Sequence, residues 1–94
     1  MFTKKEIASI DTVYFKVLSK SAFQVTLQSK NTLHEWHILS REDRLHDKVI
    51  RLCIISHRHN HSDAFHIHGQ SKTLADAMKL IKKHDTFQLK GRTL

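Results

Sequence analysis

Val49-Ile50-Arg51-Leu52-Cys53-Ile54-Ile55-Ser56-His57 is the most apolar stretch of the chain, and the fold turns on how it is read. In an extended chain Ile50, Leu52 and Ile54 point one way and Val49, Cys53 and Ile55 the other. A run apolar on both sides predicts a strand inside a sheet, not at its edge. The expectation taken from it is that Ile50, Leu52 and Ile54 face the core. Residues 59–63 supply turn chemistry, and residues 64–68 read as a returning strand. Phe65 and Ile67 should then join Leu52 and Ile54 on the core side. His57, His59, His66 and His68 should share the opposite face with Cys53 and Ile55.

Upstream, Phe23, Val25 and Leu27 alternate with Gln24, Thr26 and Gln28, the pattern of a half-buried strand. Ser29-Lys30-Asn31-Thr32 is a turn, and residues 33–39 return with Trp36 and Ile38 on one face. Residues 40–48 are polar and highly charged, and read as a loop or one helical turn. Nearer the start, Val13, Phe15 and Val17 alternate, whereas Ile7, Ile10, Tyr14 and Val17 keep helical spacing. A strand over residues 12–18, with Asp11-Thr12 as the break, is the preferred reading.

Both ends read as helices. Thr3-Lys4-Lys5-Glu6 has capping-box spacing with Phe2 and Ile7 at the staple positions, so a helix should run from Lys4 to about Ile10. Ser71 or Thr73 should cap a second helix, whose Leu74, Ala77, Met78 and Ile81 form an apolar stripe. Residues 90–94 are expected to fray. Every strand connection is short, so the strands should form an antiparallel meander. The expected fold is a single α+β domain over residues 1–94. It has two layers: a four- to five-stranded antiparallel sheet, with the N-terminal and C-terminal helices on one face.

Composition narrows the class. The chain has 94 residues, 39% hydrophobic and 27% charged, which fits one ordinary globular domain and not a disordered tail. A single cysteine excludes an internal disulfide framework and a four-cysteine zinc site. No apolar run approaches a membrane span and no leader-like stretch opens the chain, so no membrane partner and a cytoplasmic location are expected. Lysine and arginine number 16 against 9 acids, a formal charge of +7. Such a balance on a small domain attracts polyanions, because neutralised phosphates release condensed counterions. The residues expected to contact phosphates are Lys72, Lys79, Lys82, Lys83, Arg58 and Arg51. Tyr14, Trp36 and Phe87 are the rings available for stacking on bases.

Nine histidines stand out, five of them between His57 and His68. If His57 lies opposite His66, three or four imidazoles gather on one face of a hairpin. His57, His66 and His68 are then the candidate ligands for zinc or another transition metal, with water, His59 or Cys53 as a fourth. The same histidines with Arg58 hold the acid, base and cation that a metal-independent ribonuclease needs. Against both readings stands a plainly polar sheet face, since no H-E-x-x-H, C-x-x-C or H-x-x-E-H pattern occurs. His34 and His37 point to opposite faces of their strand, His46 lies in the charged segment, and His84 reads as a helix C-terminal cation. Cys53 reads as a buried structural thiol.

Gly69-Gln70-Ser71-Lys72 leading into Ala75, Met78 and Leu80 resembles the loop and last helix of double-stranded-RNA-binding domains. The resemblance covers residues 69–80 and implies an α-β-β-β-α order. Thr73 and Asp76 stand where that family has phosphate-contacting lysines, so its function is not carried over. The reading that remains is a non-enzymatic module that binds DNA or RNA through phosphates. A histidine-cluster metal protein is the alternative and a small histidine-based ribonuclease a further one. A protein partner is compatible with each.

Overall fold

The structure, a computed structural model, describes residues 1–91. In chain order it contains α1 (Lys4–Ala8), β1 (Phe15–Lys20), β2 (Gln24–Ser29), β3 (Glu35–Leu45), β4 (Lys48–Arg58), β5 (His66–Ser71) and α2 (Leu74–Gly91). The five strands form one antiparallel sheet in the order β1-β2-β3-β4-β5. Phe2 and Ile10, which flank α1, join one buried cluster with Leu74, Ala77, Met78 and Ile81 of α2, so both helices serve the same sheet face. The domain is an α+β meander, as expected. Arg92 and the two residues after it, where fraying was expected, lie outside the described residues; Lys90 and Gly91 are helical.

The capping box forms as the spacing predicts. Glu6 N donates to Thr3 Oγ1 at 3.0 Å, and Thr3 N donates to Glu6 Oε1 at 3.1 Å. The helix stops at Ala8, two residues short of the expected Ile10. Asp11 then makes a turn: its Oδ1 accepts from Val13 N and Tyr14 N, both at 3.1 Å. The strand therefore begins at Phe15 and not at Thr12.

Two expectations are corrected. The charged segment 40–48 is neither loop nor helix; β3 runs unbroken to Leu45 and pairs with β4 out to Leu45↔Lys48. His46 and Asp47, with φ of 51° and 64°, close this hairpin as a two-residue turn of the I′ pattern. The outer half of β3 has no core to cover, so residues 41–44 are all charged and the alternation that marks a strand is missing there. The second correction is the parity of β4. Cys53 and Ile55 are fully buried and His57 nearly so, while Ile50, Leu52 and Ile54 are half-buried. The pairs Trp36↔His57 and Ile38↔Ile55 bring the odd-numbered residues of β4 onto the face that Trp36 and Ile38 define. Phe65 and Ile67 go to the open face with Ile54, and Ile67 is 78% exposed. The grouping of residues into two faces was right; which group is covered was inverted.

Ile55→Ala should cost about 2–5 kcal/mol, as for other buried large-to-small changes, while Leu52→Ala should cost less than about 1.5 kcal/mol. Denaturant unfolding of both variants checks the assignment. Equal losses, or a larger one at Leu52, would mean that the sheet faces are interchanged.

Candidate functional site

The residues expected to contact phosphates fall into two groups. Arg51, Arg58 and Lys82 are spent inside the fold. Both Arg51 terminal nitrogens bind Glu6 at 2.8 Å, a bidentate pair that holds α1 to β4. This hydrogen bonding keeps the Glu6 pKa down at about 2. Arg58 Nη2 donates to Glu35 Oε1 at 2.7 Å, and its guanidinium lies over the Phe65 ring at 4.2 Å. Burial opposes the charge of Glu35, but the Arg58 and His61 hydrogen bonds outweigh it and hold its pKa below the ordinary value. Lys82 Nζ is 2.9 Å from Asp11 Oδ2, and this bond depresses the Asp11 pKa. Lys72, Lys79 and Lys83, by contrast, are exposed and make no ion pair among the described residues. Lys79 and Lys83 sit four apart on α2, one above the other on the side away from the sheet. Asp76 is the acid of the helix's first turn, and exposed Phe87 lies one turn beyond Lys83.

The histidines assemble differently from the expected trio. His57 and His68 approach, with ring centroids 6.0 Å apart. His66 pairs with His57 across the strands but is exposed and outside the ring cluster. A bulge at the β4–β5 pairing (Ile55↔Gly69, then Ser56↔Ile67) leaves His68 as the extra residue. In place of His66, the cluster gains His34 and His84, and it includes His59 as expected. The rings surround buried Trp36, whose centroid lies 4.2 Å from His57, 5.3 Å from His68 and 5.2 Å from His84. His57 Nε2 and His34 Nδ1 are 3.0 Å apart, a buried hydrogen bond between two imidazoles. Burial first, and then the neighbouring imidazoles, push the His57 pKa down to about 4. Burial likewise lowers the His84 pKa, with Asp85 pulling the other way. No three His, Cys, Asp or Glu side chains among the described residues are placed to hold a metal ion.

The ribonuclease constellation does not converge. Arg58 binds Glu35 on the open face, whereas His57 and His68 lie under α2. Of the rings expected to stack on bases, Trp36 is fully buried and Phe87 is 71% exposed. Tyr14 is turned inward: its hydroxyl donates to Asp85 Oδ2 at 2.7 Å and accepts from Asn31 at 3.2 Å. Asp85 is fully buried on α2, and its second oxygen accepts from Thr32 at 3.2 Å. Burial and then the Asp85 bond raise the Tyr14 pKa to about 12.

Sequence reasoning missed His34, His84 and Asp85. The signals were present. His34 shares parity with Trp36 and Ile38, and His84 and Asp85 lie three and four residues past Ile81 on the buried stripe. No protein-family model, curated protein or solved structure matches this chain. No described helix is long and apolar enough to cross a membrane.

Tyr14→Phe should destabilise the fold by about 1.5–3 kcal/mol, the usual range for a hydrogen bond to a charged group. In the wild type this contribution is complete below pH 10 and lost as pH rises through about 12, since the folded state holds the phenol proton more tightly. Ultraviolet titration of the single tyrosine should place its ionisation near that upper value, and a midpoint at the ordinary 10 would contradict the Asp85 contact.

Proposed function

We propose that the domain binds nucleic acid through its phosphate backbone, using the outward side of α2 and the segment leading into it. One observation carries this reading: Lys72, Lys79 and Lys83 stand exposed without ion pairs among the described residues, while Glu6, Asp11 and Glu35 are already neutralised by Arg51, Lys82 and Arg58. The excess positive charge therefore stays at the surface, where it is available to a polyanion. Phe87 offers one exposed ring beside the lysines, and among the described residues no array of rings supports base-by-base stacking. The contacts are to phosphate, and the binding is independent of base sequence.

The test is titration of labelled single- and double-stranded oligonucleotides at about 50 mM salt and above. Affinity should fall steeply with salt. Lys79→Gln together with Lys83→Gln should weaken binding alike on every sequence and lower the salt slope by about 1 per lysine that contacts a phosphate. Lys82→Gln serves as the contrast: its main effect should be on stability, through Asp11. No binding to any oligonucleotide at the lowest salt would overturn the proposal.

A further inference from the structure

The outer part of the β3–β4 hairpin projects past the rest of the sheet as an arm. Beyond Leu39 and before Cys53 its strands pair only with each other among the described residues. The register places Leu39, Leu45, Ile50, Leu52 and Ile54 on one side of the hairpin, while both helices pack on the other face of the sheet. Leu39 and Leu45 are exposed, and the three residues from β4 are only half-buried. Arg41 and Asp43 share this side, 3.0 Å apart, and Arg41 lines one shallow depression with Ile54 and Ile67. A two-stranded hairpin is marginal in water unless its apolar side packs against another layer.

We propose that this side of the arm is a homodimer interface, in which the arms of two copies pack face to face and antiparallel about a twofold axis level with Glu42 and Arg51. The occupant follows from the order of side chains along the arm. A twofold axis lying between two sheets and across their strands sets β3 over β3 and β4 over β4, with the direction reversed. Centred between Arg41 and Asp43, it brings Arg41 of each copy against Asp43 of the other. The same operation sets Leu39 against Leu45, Leu52 against Ile50, and the methylene stem of Lys48 along Ile54. Sheet twist turns the two arms roughly 30° apart, so these pairs are neighbours and not exact stacks. The side is thus complementary to itself in both apolar surface and charge. Neighbouring positions of the axis lose this. Centring it on Arg41 or on Asp43 sets that residue against its own copy. Moving it from Glu42 to Ser40 sets Leu39 against Arg41 and Leu45 against Glu35, and moving it to Arg44 sets Asp43 against Leu45. Lys79 and Lys83, on the side of α2 away from the sheet, stay outward on opposite flanks of such a dimer. The interface neither uses nor blocks them, so it stands independently of nucleic-acid binding.

With about 16 Å² of sheet per strand residue, the arm is small against the roughly 800 Å² per partner of a standard interface, so the dimer should be weak and concentration-dependent. Sedimentation equilibrium of nucleic-acid-free protein, from about 1 to about 300 µM, should give a mass that rises from one chain toward two. Leu52→Asp should abolish association, and Leu45→Asp, at an exposed position, provides the same test if the first variant folds poorly. Charge variants test the register. Arg41→Asp places like charges together between identical copies, and so does Asp43→Arg, so each variant alone should associate about tenfold more weakly or worse. An equimolar mixture of the two should regain association, because every contact between positions 41 and 43 then joins an acidic to a basic side chain across the copies. The Arg41–Asp43 bond within one chain cannot produce recovery on mixing. Three results would overturn the interface: a mass that stays at one chain or climbs past two, a dimer indifferent to both leucine variants, or a mixture that associates no better than its separate components. A failure of oligonucleotide binding would bear on the phosphate contacts of α2 and leave this result untouched.

Discussion

The pairing of Trp36 with His57 across β3 and β4 is the contact on which the rest of the structure depends. It decides which face of the most apolar strand meets the helices, because side chains alternate and a slip of one residue would exchange the faces. With that register, Cys53 and Ile55 complete a core with Val25, Leu27 and Ile38. The same register carries His57 into the protein. A polar ring then occupies a position that an aliphatic residue would fill in a simpler sheet. It is accommodated by stacking on Trp36 and bonding to His34, both from the β3 side. Core and histidine cluster are therefore one construction.

The charges show the same economy. Salt bridges join Glu6 to Arg51, Asp11 to Lys82 and Glu35 to Arg58, each linking segments distant in sequence. Ion pairs at exposed positions contribute little to stability, but these are partly buried and each cation also sits against an aromatic ring. Their larger effect is on what is left over. Carboxylates engaged with internal partners do not screen the lysines of α2. A net charge read from composition becomes a located one only after such pairing is known.

Element types were legible in the sequence because they rest on local chemistry: the Thr3–Glu6 box, the alternation from Phe23 to Gln28, the stripe from Leu74 to Ile81. The polarity of β4 was not, because both sides of residues 49–55 are apolar and parity alone cannot choose between them. Trp36 and Ile38 held the deciding information, but only through a register with β4 that no local pattern specifies. The histidine cluster was half legible. Sequence proximity brought His57 and His68 forward, and it favoured His66 over His34 and His84, which arrive from a turn and a helix far along the chain. The arginines were misjudged for a related reason: a cation reads as available until its carboxylate partner, 45 residues away for Arg51, is found. The outer half of β3, in the β3–β4 arm, was illegible because residues 41–44 are all charged and carry no hydrophobic period, although their partners on β4 read as a strand.

That arm gives the domain its elongated outline, with a longest dimension of 49 Å against 25 and 23 Å. Beyond Leu39 on β3 and before Cys53 on β4, the two strands pair only with each other among the described residues. The arm can change length during evolution only in certain steps. A two-residue turn such as His46-Asp47 closes on a hydrogen-bonded pair, and such pairs alternate with non-hydrogen-bonded ones. Loss of one residue from each strand would bring the turn onto the wrong kind of pair, whereas loss of two from each would restore it. Arms of related length should thus differ by four residues in the chain, while the core that begins at Ile38 and Cys53 stays in register.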